Sequence, residues 1–201
     1  MPRELLVATD GSCLRNPGGP TGWAWVAEDG RWFAACQPSG TNQIGELWGV
    51  LSVLRDFPDV PLVIHIDSVY AMKVATSYRT AWARNGWRTR EGKPVSNMNL
   101  VLAIDRRLTQ RDEPVRFIKV PSHTDDPRWS LNAAADKRAR GAAVYAKRNE
   151  EACTFRGVDE EVAHRVVKGA PVVIGSERAV RPQTCTSCDR PILDGQCGCS
   201  D

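Results

Sequence analysis

Asp10 ends the apolar run LLVATD, and Asp67 ends a second one, PLVIHID. A buried strand that delivers a carboxylate to its own end places charge where desolvation is costly. Two further acids lie early in segments of helical spacing: Glu46 after TNQIG, and Asp136 after NAAA. Sequential strands tend to pair, so Asp10 and Asp67 are expected on the same side of one sheet. The first turns of the two helices would add Glu46 and Asp136 where the helix dipole favours negative charge. Four gathered acids raise one another's pKa unless a cation lies between them. Hard oxygen ligands with open positions suit Mg²⁺ or Mn²⁺. Two such ions about 4 Å apart can activate water and stabilise the leaving oxygen of an in-line phosphoryl displacement. Each acid also has a plainer reading on its own. Asp10 can cap an Asp-Gly turn, Glu46 can be a solvated helix charge, and Asp136 can pair with Arg140 at i+4. The metal reading rests on all four occurring together, and the small residues after Asp10 then leave room for a phosphate backbone.

The elements that must hold these acids follow from periodicity. Residues 4–10 and 61–67 read as buried strands, and 22–27 with 31–37 as a hairpin around Glu-Asp-Gly. Ile44, Leu47, Trp48, Leu51 and Leu54 form one helical face, closed by Pro58 and Pro61. A short helix is expected from Ser68, a longer one from Asn97 to Thr109, a strand at 115–120 and an alanine-rich helix from Asn132 to Arg148. This order describes an α/β domain over residues 1–148, a five-stranded mixed sheet with helices on both faces. Residues 149–183 read as a linker or loosely packed extension, and 184–201 as a cysteine-rich tail.

Of the 201 residues, 42% are apolar and seven are tryptophan, enough for a substantial core. No stretch has the apolar length to span a membrane, and the N-terminal run is too short for a signal peptide. A cytoplasmic location with reduced thiols is therefore expected, and a monomer. The net charge of +3 conceals a basic middle: Lys73 to Arg148 holds 17 Lys and Arg against 7 Asp and Glu. Such a surface suits a polyanion, nucleic acid first among them, although a charge run can also be a solvated face.

TDGS at 9–12, NPGG at 16–19, TNQIGEL at 41–47, IDSVY at 66–70, GWRTREGKPVSN at 86–97, and PSH followed by NAAAD resemble ribonuclease H type 1, from about residue 4 to 146. The resemblance implies the ribonuclease H-like fold and hydrolysis of the RNA strand of an RNA–DNA hybrid, leaving 3′-hydroxyl and 5′-phosphate ends. By resemblance, Asp10, Glu46, Asp67 and Asp136 are the family's two-metal set, holding Mg²⁺ or Mn²⁺. His123 matches a mobile histidine that assists proton transfer and product departure; the alternative is a solvated loop histidine. Gly11, Ser12, Cys13, Asn16, Asn42 and Gln43 match the residues that contact the RNA strand, where the 2′-hydroxyls mark ribose; Asn16 and Asn42 can also simply shape turns.

The segment from Trp82 to Lys93 resembles a basic handle that grips the DNA strand. In it Arg84, Arg88, Arg90 and Lys93 meet phosphates, and Trp82 and Trp87 either stack or form the handle's own core. The chain departs from the family pattern at Val69, at Gln43, at Ala133 and in HTDDPRWSLN, a loop about three residues longer than usual that carries Trp129.

In the tail, Cys185, Cys188, Cys197 and Cys199 read C-x₂-C-x₈-C-x-C. Two close pairs of thiolates suit a tetrahedral structural Zn²⁺, with free or oxidised thiols the alternative. Such a tail can serve a protein or nucleic-acid partner. Cys13, Cys36 and Cys153 read as ordinary reduced residues. Two other functions compete with a nuclease for hybrids: a non-catalytic hybrid-binding module, and another nuclease of the same fold. Loss of an acid would favour the first, and none is lost.

Overall fold

Val7 and Ala8 are neighbours in sequence and both fully buried, yet they face opposite layers. A strand buried on both sides needs helices above and below its sheet. The computed structural model describes residues 3–122, 124 and 126–159, and has that architecture. β1 (Leu5–Cys13), β2 (Gly19–Ala27) and β3 (Arg31–Gly40) form an antiparallel meander. α1 (Asn42–Asp56) crosses over to β4 (Leu62–Ile66), which runs parallel to β1. α2 (Val69–Lys73) and α3 (Arg79–Arg84) are joined through a π turn at Val74–Tyr78. α4 (Met98–Gln110) precedes β5 (Val115–Lys119), parallel to β4. A 3₁₀ turn at Pro127–Trp129 leads into α5 (Ser130–Asn149), and β6 (Cys153–Val158) follows.

The mixed α/β sheet is as expected, but it has six strands, in the order β5-β4-β1-β2-β3-β6, where five were expected. The additional strand comes from the segment read as a linker. β6 pairs antiparallel with β3, with Cys153 opposite Cys36 and Val158 opposite Arg31. Both cysteines are buried and unbridged.

Period-two alternation divides the core. Trp23, Trp25, Phe33 and Ile64 face α1 and α4 through Leu47, Leu51, Val101 and Ile104. Ala8, Ala24, Val26 and Trp32 face α5, which answers with Ala135, Ala139, Ala142 and Ala146. Small side chains on both sides let α5 come close. At Gly22 a Cβ would stand 2.2 Å from the Ala139 carbonyl oxygen, so only glycine fits under the helix there. No helix among the described residues is long and apolar enough to cross a membrane.

Candidate active site

The parallel ladder between β1 and β4 stops at Thr9 opposite Ile66. The next residue on each strand is an aspartate, so register alone sets Asp10 beside Asp67. β1 itself continues along β2 as far as Cys13 opposite Thr21. The strand end expected at Asp10 is thus only the end of its partnership with β4.

Glu46 reaches this point because α1 lies against β1 with no side chain between them. A Cβ on Gly11 would stand 2.1 Å from the Glu46 backbone nitrogen and 2.3 Å from the Gly45 carbonyl carbon. The space that Gly11 leaves is filled by the helix, not kept open for a phosphate backbone. Thr41 starts α1 by accepting the Ile44 N–H at 3.2 Å. Glu46 therefore lies beyond the first turn, and so does Asp136 in α5, which starts at Ser130; neither helix has an acid in its first turn. The dipole expected to favour these two acids has largely faded at their positions. Packing holds them instead.

One oxygen each from Asp10, Glu46 and Asp67 lies within 4.8 Å of the other two. Asp136, on α5, comes near enough for its charge to act on the Asp10 carboxyl, although it is not one of the three acids whose oxygens meet within 4.8 Å. Asp10 and Glu46 are buried, at 5% and 7% exposure. Burial, then the charges of Asp67 and Asp136, push the Asp10 carboxyl up to about 8. Burial and the charges of Asp10 and Asp67 likewise raise Glu46 well above the usual carboxylate range. Asn42 Nδ2 donates to Glu46 Oε1 at 3.4 Å. Glu46 Oε2 is wholly buried and has no hydrogen-bond partner. Hard oxygen donors that repel one another, one with an orphaned oxygen, fit a divalent cation such as Mg²⁺. A cation would remove both the repulsion and the orphan.

Of the residues expected to meet the RNA strand, Gly11 is buried, and Ser12 and Cys13 are half-buried; Asn16, Asn42 and Gln43 are exposed. The Asn42 backbone N–H donates to Asn16 Oδ1 at 3.1 Å, tying the turn after β1 to the start of α1. The Cys13 thiol lies 3.3 Å from the Arg15 carbonyl and faces the same turn. His123, like Cys185, Cys188, Cys197 and Cys199, lies outside the described residues.

In the basic segment the rings and the charges separate. Trp82 and Trp87 are half-buried against the main core, the packing alternative left open by the sequence. The Trp87 N–H donates to the Trp82 carbonyl at 2.7 Å, and Trp82 packs on Tyr78 with ring centroids 5.1 Å apart. Arg84, Arg88, Arg90 and Lys93 are exposed, the last three on an excursion closed by the Thr89 N–H to Lys93 carbonyl bond of 2.8 Å.

Periodicity gave no sign of one further contact. His65, buried in β4 two residues before Asp67, meets the Trp129 ring edge-to-face, with centroids 5.4 Å apart. Only the extra length of the loop before α5 hinted at it.

The family model described as RNase H matches residues 2–144, a span that contains all four acids. Ribonuclease HI of Streptomyces coelicolor is 44% identical over 150 residues, covering 72% of this chain and 63% of that protein. The chain thus spans just under two thirds of that relative. Ribonuclease H of Tropheryma whipplei is 39% identical over 142 residues, covering 70% of this chain and 84% of that protein. Among solved structures, a type 1 RNase H with the type 2 active-site motif matches with TM-score 0.60 at 22% identity, over 72% of this chain and 74% of that one. The foamy viral protease–reverse transcriptase in complex with RNA/DNA hybrid matches with TM-score 0.59 at 19% identity, over 70% of this chain and 20% of that one. At these identities the two structures speak for the fold, while the family match and the sequence relatives speak for descent. The chain therefore belongs to the ribonuclease H family.

Proposed function

We propose that this ribonuclease H-family enzyme hydrolyses the RNA strand of RNA–DNA hybrids, leaving 3′-hydroxyl and 5′-phosphate ends. The observation that carries the reading is the buried carboxylate cluster at the end of β1 and β4, with an oxygen from each of Asp10, Glu46 and Asp67 inside 4.8 Å. Asp10, Glu46, Asp67 and Asp136 would hold two Mg²⁺ or Mn²⁺ ions, which when bound supply the charge that activates water and stabilises the leaving 3′ oxygen. The chain's own residues do the rest. Asp10 and Glu46 give up their protons as the site loads. Asn42 holds Glu46 Oε1, which leaves Oε2 as the donor atom. His123 moves a proton during product departure, a role that rests on the motif resemblance alone. The backbone of Gly11, Ser12 and Cys13, with Asn16, Asn42 and Gln43, reads the 2′-hydroxyls. In the tail, Cys185, Cys188, Cys197 and Cys199 bind a structural Zn²⁺, a proposal from their spacing alone.

The test compares end-labelled hybrid, RNA duplex and DNA duplex in Mg²⁺ and in Mn²⁺. The hybrid is cut in its RNA strand, and Asp67→Asn abolishes cutting while hybrid binding persists. Equal cutting by the variant overturns the site, and preferential cutting of DNA duplex overturns the substrate.

The exposed cations of the handle make a separate prediction. Changing Arg84, Arg88, Arg90 and Lys93 together to glutamine weakens hybrid binding. It also flattens the plot of log affinity against log salt by about one for each phosphate that is no longer neutralised. Because Trp82 and Trp87 stay packed, the melting temperature changes little, the one internal contact removed among the described residues being the exposed Arg88 Nη1 bond to the Gly92 carbonyl. An unaltered salt slope removes the handle from the binding surface.

A further inference from the structure

The four acids come from separate elements, and Asp136 depends on how α5 is seated. The face α5 lays on the sheet is mostly alanine, which brings the helix close. Beyond Asp136 it is anchored by buried Arg138, whose guanidinium lies over the Trp32 ring with 3.9 Å to the centroid. The N-terminal end, before Asp136, is held by a different contact. Asp126 caps the 3₁₀ turn, its Oδ1 accepting the Arg128 N–H at 3.0 Å, and the Trp129 N–H returns to the Asp126 carbonyl at 2.9 Å. This turn presents Trp129, the residue immediately before α5, to His65 on β4. His65 lies opposite Ala8 in the β1–β4 ladder, on the face of the sheet that α5 covers, and β4 leads directly to Asp67. The ring pair therefore ties the strand that delivers Asp67 to the helix that delivers Asp136. Leu131 and Asn132, next in α5, are buried behind it.

We propose that Trp129 is a positioning residue for the Asp136 carboxylate, its indole on His65 setting the axial position of α5 relative to β4. This rests on the reading of Asp136 as a metal-holding residue. In this role Trp129 acts through Asp136, not by contact with substrate or metal. Because it acts through another group, its loss loosens the acid site without removing a ligand, and the expected cost is the one typical of such supporting residues, about 10-fold in metal affinity.

The experiment titrates Mn²⁺ alone into the full chain by calorimetry, without nucleic acid, for the parent, Trp129→Ala, Trp129→Phe, Asp136→Asn and the Trp129→Ala/Asp136→Asn double variant. Trp129→Ala is expected to weaken Mn²⁺ binding about 10-fold. Trp129→Phe, which keeps a ring on His65, returns it to within about twofold of the parent. In the Asp136→Asn background Trp129→Ala adds no further loss, because its effect travels through that carboxylate. Should Trp129→Ala fail to fold, Trp129→Leu keeps apolar bulk without the ring and is judged by the same criteria. Mn²⁺ affinity within twofold of the parent in the ring-less variant overturns the proposal. So does a full 10-fold loss that reappears in the Asp136→Asn background. If Asp136→Asn alone leaves Mn²⁺ binding unchanged, the metal reading of Asp136 fails first, and that result is distinct from failure of the role given to Trp129.

Discussion

Asp10→Asn is expected to give a protein that no longer cuts and yet is harder to unfold. Asparagine keeps the size of the side chain and removes a charge that the metal-free fold resists. Burial and two neighbouring acids lift the Asp10 carboxyl to about 8, against an unfolded value of roughly 3.9. A group with a raised folded-state pKa contributes its stability below the unfolded value and loses it as pH rises through the folded one. Metal-free stability of the parent should therefore fall as pH climbs from about 4 to 8, and Glu46, also raised, steepens the fall. Asp10→Asn removes much of that slope and raises stability at pH 8 by about 1–2 kcal/mol, the usual scale for relieving a strained functional site. Activity moves the other way. Loss of a metal-holding carboxylate costs several kcal/mol of transition-state stabilisation, roughly 10³-fold in rate. The same protons compete with divalent ions, so Mg²⁺ affinity of the parent should rise with pH toward 8. Thermal melts without metal across pH 5–9, beside a hybrid-cutting assay, check both halves. A variant less stable than the parent at pH 8, or one that cuts normally, contradicts the account.

Gly11→Ala changes one hydrogen for a methyl group and should nonetheless damage both stability and turnover. The new Cβ would stand 2.1 Å from the Glu46 nitrogen and 2.3 Å from the Gly45 carbonyl carbon. These are backbone atoms of a helix, which cannot swing aside as a side chain can. α1 must shift or β1 must bend, at about 1–3 kcal/mol for overpacking of this kind. Either movement carries Glu46 away from Asp10 and Asp67, so hybrid cutting falls by more than the stability loss alone would produce. Circular dichroism melts and cutting rates at saturating Mg²⁺ separate the two effects. Parent-like activity in Gly11→Ala would show that the close approach of α1 does not set the position of Glu46.

The sequence carries some of this plainly and hides the rest. Two apolar runs ending in aspartate are enough to foresee Asp10 beside Asp67, because strand pairing converts a shared end into a shared place. Helix starts are less legible: Thr41 starts α1 at Asn42, two residues before Ile44 opens its apolar face, and α5 begins two residues before Asn132. With the observed starts Glu46 is the fifth residue of α1 and Asp136 the seventh of α5, both beyond the first turn. β6 escapes notice because CTFRGV is short and follows a change in composition, although Cys153 and Phe155 do alternate with Thr154 and Arg156. The two roles of the tryptophans are equally hidden. Periodicity reports that a ring is amphipathically placed, not whether its partner is a base, a tyrosine such as Tyr78 or a buried histidine such as His65.

The sixth strand also decides where the chain goes next. β6 runs from the Cys36 end of β3 down to Arg31, and Asp159 there donates its N–H to the Gly30 carbonyl at 2.8 Å. That is the rear margin of the sheet, three strands across from β1 and roughly 20 Å from Asp10 by strand spacing and rise. The described chain therefore ends on the margin of the sheet away from the acids, not beside them.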